Sequence, residues 1–69
     1  MEYLSRQKKV MGGALCIKGT RIPMSVILYR LSEGKTIQHI QELYPHLTEV
    51  KISLAIKELG DVIDKEVAK

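Results

Sequence analysis

Phenylalanine and tryptophan are absent from this sequence, and tyrosine occurs only three times. A hydrophobic core must therefore be assembled from Ile, Leu, Val and Met. In a chain of 69 residues that core is small, because a domain of this size buries only roughly 60% of the surface its unfolded chain exposes. Chains this small commonly gain stability by self-association, so a homodimer is the expected state. The single cysteine, Cys16, excludes an internal disulfide. No apolar run approaches the roughly 18 to 20 residues that span a bilayer, so no membrane insertion is expected. No basic N-terminal segment followed by an export-length apolar stretch is visible either, and a cytoplasmic location is expected.

Catalytic inventory is equally thin. His39 and His46 are the only histidines, and Cys16 has no close-spaced ligand partner of the kind that builds a zinc site. No enzyme activity, metal or other cofactor is expected. Cys16 itself, in an apolar tetrapeptide, reads as a small buried hydrophobe. Gly12, Gly13 and Gly19 do not have the spacing of a nucleotide-binding loop, which also requires a larger α/β unit around it.

What the chain does have is an uneven charge. The formal net charge is +3, yet residues 1–35 hold seven Lys or Arg against two carboxylates, and residues 36–69 hold four against six. A positive half suits phosphate, and a mixed acidic half suits a protein partner or a solvated surface.

The expected fold is mainly α: a small three-helix domain with a helix-turn-helix, preceded by a short N-terminal β-hairpin. The chain reads as one domain over residues 1–69, with the hairpin region in 1–22 and the helical core in 23–59. Residues 2–5 suggest a first strand, residues 6–9 a basic loop, and Ala14 to Ile17 a second strand. Gly19 supplies the turn that follows, with Thr20 able to accept a local backbone hydrogen bond. Pro23 suits the first position of a helix carrying Val26, Ile27, Leu28 and Leu31 inward and ending at Gly34. Thr36 is an N-cap for a second helix with Ile37, Ile40 and Leu43 along one side.

Pro45 lacks an amide hydrogen and pushes Tyr44 out of helical conformation, which ends that helix. Thr48 then caps a third helix from about Glu49, with Ile52, Ala55, Ile56 and Leu59 facing inward. Two helices joined in this way make a helix-turn-helix over about 36–59. Residues 60–69 have two readings. Gly60 costs about 1 kcal/mol inside a helix relative to alanine, so the helix can stop there. Alternatively Ile52, Ile56, Leu59, Ile63 and Val67 form one seam on a helix that continues, and Ile63 and Val67 then either await a partner chain or belong to a frayed, partly mobile tail.

The run Gly13-Ala14-Leu15-Cys16-Ile17-Lys18-Gly19-Thr20-Arg21-Ile22-Pro23 resembles the GxPCI(K/R)GTRIPV signature of the small prokaryotic proteins of domain-of-unknown-function family four hundred and thirty-three. The resemblance extends over residues 10–59. Leu15 stands where that family most often has proline, Met24 replaces the valine after Pro23, and Arg6-Gln7-Lys8-Lys9 replaces a more acidic lead-in. The resemblance implies a helix-turn-helix protein of the antitoxin type, paired with a PIN-like nuclease toxin and able to bind operator DNA.

In such a motif the second helix presents its early exposed residues to a major groove while neighbouring cations hold phosphates. Those early residues are Glu49, Val50, Lys51 and Ser53. The expected DNA-binding set is therefore Arg6, Lys8, Lys9, Lys18, Arg21, Lys51 and Ser53, and the expected partner-binding residues are Ile63 and Val67. Arg21 alternatively closes the hairpin onto the helices through a structural ion pair. The first turns of the third helix hold no Arg, Asn or Gln. A protein-interaction module without DNA affinity is the competing expectation.

Overall fold

Five elements follow one another in a computed structural model that describes residues 1–67, and the side chains of residues 1–66. They are β1 (Leu4–Gln7), β2 (Ala14–Ile17), α1 (Met24–Ser32), α2 (Ile37–Leu43) and α3 (Glu49–Val67). The architecture is the expected one, mainly helical with an N-terminal hairpin. Strands β1 and β2 pair antiparallel, with Leu4 opposite Ile17 and Gln7 opposite Ala14. This register puts Leu4 and Ile17, both almost fully buried, against the helices.

The ladder begins two residues later than the sequence suggests. The N–H groups of Glu2 and Tyr3 are donated to the Glu58 carboxylate on α3, at 2.6 and 2.9 Å, so these residues dock on a helix and Arg6 joins the strand. After β2 the chain reverses sharply. Gly19 sits at φ +82°, a region that side chains with a Cβ disfavour, and the Thr20 hydroxyl both donates to the Ile17 carbonyl and accepts from the Ile22 N–H. Pro23 is extended (φ −68°, ψ 142°) and bridges Cys16, so α1 starts one residue later, at Met24.

Helix α1 ends in a Schellman motif. Gly34, at φ +86°, donates its N–H to the Leu31 carbonyl, and Lys35 donates to the Arg30 carbonyl. Both remaining helices are capped by threonine. The Thr36 hydroxyl oxygen accepts from the His39 N–H at 3.0 Å, and the Thr48 hydroxyl oxygen accepts from the Lys51 N–H at 3.1 Å. Leu47, just before the Thr48 cap, is fully buried, as is Ile52 in the first turns of α3, and these are the two positions that form a hydrophobic staple. Tyr44 leaves the helical region ahead of Pro45 (φ −128°, ψ 75°), which separates α2 from α3.

The core comprises Leu4, Ile17, Met24, Ile27, Ile40, Leu47, Ile52, Ala55 and Leu59, with Ile37, Leu31 and Ile56 packed against it. Cys16 is buried beside it. Leu28 and Leu43, expected inward, are instead 40% and 44% exposed. Met24, the first residue of α1, and Leu47, in the turn before Thr48, are buried in the core.

Helix α3 runs through Gly60 to Val67 without a break. No atom beyond its own helix turn lies near the place of a Cβ on Gly60, and Leu59 beside it belongs to the core, so tertiary anchoring outweighs the modest helix penalty of glycine. The 60–69 segment is thus a helix extension over its described part. Ile63 lies on it, 49% exposed. The side chain of Val67, the second residue expected on that seam, lies outside the described residues.

Candidate functional site

Two surfaces emerge from this arrangement, one at each end of α3. The first is the start of the helix. Thr48 fixes the helix entry, and Glu49, Val50 and Ser53 are exposed over the first turns, Val50 at 67%. Lys51 is half-buried. His39 pairs loosely with Glu42 one turn on (4.0 Å), and His46 is exposed in the 44–48 turn.

The hairpin divides the remaining cations into two groups. Lys18 and Arg21 flank the tight turn after β2, both exposed. Lys18 donates its backbone N–H to the Tyr3 carbonyl and its Nζ to the Met1 carbonyl, while Tyr3 is tied to Glu58. Lys18 therefore stands level with the middle of α3, about 10 Å along the axis from Lys51. Arg21 makes no ion pair among the described residues, so the structural pair considered for it is not formed.

Arg6, Lys8 and Lys9 lie at the opposite end of the hairpin. The Arg6 guanidinium donates to the Gly13 carbonyl at 2.7 Å, and Lys8 and Lys9 follow in the exposed 8–13 connection. This end meets the helix near Ile63, about 18 Å along the axis from Lys51. The seven expected contacts thus do not form one patch: Lys51 and Ser53 lie in the first turns of α3, Lys18 stands level with its middle, and Arg6 lies beside Leu59 and Ile63 toward its end.

At that end a groove of about 350 Å³ opens between the hairpin, α1 and α3. Leu15, Met24, Leu28, Leu59 and Ile63 form its walls, and Arg6 stands on its rim. This is the second surface. Of its residues the sequence pointed only to Ile63 as a partner contact and to Arg6 as a cation, because the meeting of β2, α1 and α3 is a tertiary event. The signal that was available is the excess of apolar positions on α1, more than one helix face can bury.

Between the two surfaces, Glu58 acts as a clamp that sequence reasoning missed. Partial desolvation works to raise its pKa, but the N–H groups of Glu2, Tyr3 and Leu4 and the charge of the N-terminal amine outweigh that and hold it below the ordinary carboxylate value. The Cys16 thiol is pushed up by burial, and its Sγ lies 3.7 Å from the Ala14 carbonyl oxygen, consistent with a packing role. Among the described residues no cluster of three His, Cys, Asp or Glu could hold a metal ion, and no helix is long and apolar enough to cross a membrane.

These features define a small helical module in which a hairpin buttresses a helix-turn-helix arrangement, with one exposed helix start and one apolar groove. The chain belongs to the family described as protein of unknown function (DUF433), whose match covers residues 5–57. That stretch includes the hairpin except Leu4, α1, α2 and the first half of α3, and stops short of Ile63. Neither a curated protein nor a solved structure matches the chain.

Proposed function

We propose that this protein is an antitoxin-like, homodimeric DNA-binding protein that acts by stoichiometric binding rather than catalysis, occupying operator DNA and neutralising a PIN-like nuclease toxin. The observation that carries the reading is the capped start of α3: a turn of five residues after α2, a threonine cap, and exposed side chains on the first turns. This is the part of a helix-turn-helix that enters a major groove. In this reading Lys51 and Ser53 are its DNA-facing polar groups, and Arg6, Lys8, Lys9, Lys18 and Arg21 supply electrostatic attraction to phosphate. The nuclease partner follows from the family resemblance alone.

A second reading, a protein-interaction module without DNA affinity, is favoured by one feature. Val50, 67% exposed on the helix start, is apolar, and Glu49 beside it repels phosphate. A salt series separates the two. Labelled DNA from upstream of the gene and a scrambled duplex are titrated with protein at increasing salt. DNA binding through these cations gives a log affinity that falls with log salt by about 0.9 per neutralised phosphate, and charge reversal at Lys51 weakens the specific site more than the scrambled one. No detectable binding to either duplex at low salt overturns the DNA reading and leaves the interaction module.

A further inference from the structure

The groove at the far end of α3 has apolar walls and a cationic rim, so its natural occupant is apolar and acidic. Leu28 and Ile63 stay roughly half-exposed along it. Arg6 lines it, and Lys8 and Lys9 follow directly in the chain. None of these three cations forms an ion pair among the described residues.

One segment of this chain has the required character. Beyond Leu59, α3 reads Gly60-Asp61-Val62-Ile63-Asp64-Lys65-Glu66, with three carboxylates against one lysine, all four exposed and outside any ion pair among the described residues. Leu59 is the last residue of α3 in the buried core, so the turns that follow have little of their own domain to pack on. Glu66 is three residues after Ile63 and shares its side of the helix.

We infer that the groove is the self-association site, and that it receives the end of α3 from a second copy, with Ile63 in the groove and Glu66 beside Arg6. Because Ile63 is both a wall of its own groove and the side chain that enters the other, a two-fold axis near Ile63 satisfies both grooves at once. The contact is isologous and closes at a dimer. Its two α3 ends lie antiparallel, with the exposed starts of α3 directed away from the contact. The area is modest, since each copy contributes one groove and two helical turns. Interfaces below about 1,200 Å² are characteristically transient, so association in the micromolar range is expected.

This inference rests on the homodimer in the reading above and is independent of DNA affinity, which the salt series measures separately. Sedimentation equilibrium between about 1 and 200 micromolar, a range set by that affinity, tests it on the full chain. Ile63→Asp is expected to weaken the dimer by about 30-fold or more while circular dichroism stays unchanged, since Ile63 lies outside the core. Arg6→Glu and Glu66→Arg are each expected to weaken it about 3-fold to 10-fold, and the double variant to recover most of the loss. If Arg6→Glu disturbs the hairpin through its bond to Gly13, Lys9→Glu paired with Glu66→Arg takes its place.

A wild-type monomer throughout the range overturns both the homodimer and this interface. A dimer indifferent to Ile63→Asp overturns the interface and leaves the homodimer standing. Charge reversals with no effect and no mutual rescue overturn the acidic helix end as occupant.

Discussion

Truncation of Leu47 to alanine is expected to be among the most damaging single changes in this protein, although the residue lies in a turn. Its side chain is fully buried before the Thr48 cap and occupies the staple position relative to Ile52. Leu→Ala at a closed core site costs about 2 to 5 kcal/mol, and loss of the staple argues for a value near the middle of that range. A chain of 69 residues has a total stability of about 4 to 10 kcal/mol at typical values per residue. The variant therefore loses a third or more of its stability, and its melting temperature drops by about 12 to 24 °C at the usual slope for a small domain.

Leu43→Ala is the control. Leu43 is a leucine only four residues away, the last residue of α2, but it is half-exposed, and its truncation should cost less than about 1 kcal/mol. Thermal and urea unfolding by circular dichroism at one fixed protein concentration compares them without a shift from self-association. Equal losses for the two variants, or a loss below about 0.5 kcal/mol for Leu47→Ala, would refute the packing assigned to the α2–α3 turn.

Three further outcomes are expected. Glu58 has a depressed pKa in the folded protein, so its contribution to stability is present above the unfolded carboxylate pKa and is lost as pH falls through the folded value. The stability gap between wild type and Glu58→Gln should therefore be open at pH 7 and close below about pH 4, and a gap independent of pH sinks the clamp. Gly60→Ala should raise stability by about 0.5 to 1 kcal/mol, because the helix is continuous and a Cβ there meets open space; a lowered urea midpoint would contradict this. Gly19→Val should destabilise by more than about 1 kcal/mol from backbone conformation alone, with Gly19→Asn much milder, and a Val variant of normal stability would show that the turn does not need positive φ.

Legibility in the sequence followed the range of the interactions. Gly34, Thr36, Pro45 and Thr48 act within one helical turn, and each ended or began a helix where its chemistry requires. The hairpin turn at Gly19 and Thr20 was readable for the same reason. The start of β1 was not, because Glu58 lies 55 and 56 residues away from the two N–H groups that it takes out of the ladder. Periodicity found the helices but assigned too much apolar surface to the interior: Leu28 and Leu43 carry the right spacing and still face outward. A small domain has fewer inward places than its helices have apolar residues. Part of that surplus, Leu28 with Ile63, lines the groove.

The split among the cations bears on how one chain could serve two binding tasks. Had Arg6, Lys8 and Lys9 lain beside Lys51, a single basic face would have attracted phosphate and any acidic partner alike, and the two would compete. The hairpin instead places its β1 end and its β2 end on opposite sides of a four-residue ladder, about 10 Å apart for three residue steps. The Gly13 carbonyl holds the Arg6 guanidinium at the groove, and the Met1 carbonyl holds the Lys18 ammonium at the other end. Arg6 is thereby held beside Leu59 and Ile63, and Lys18 beside the segment that Glu58 clamps. In the proposed dimer, self-association at the groove leaves the capped helix start uncovered and free for the DNA contact proposed for it.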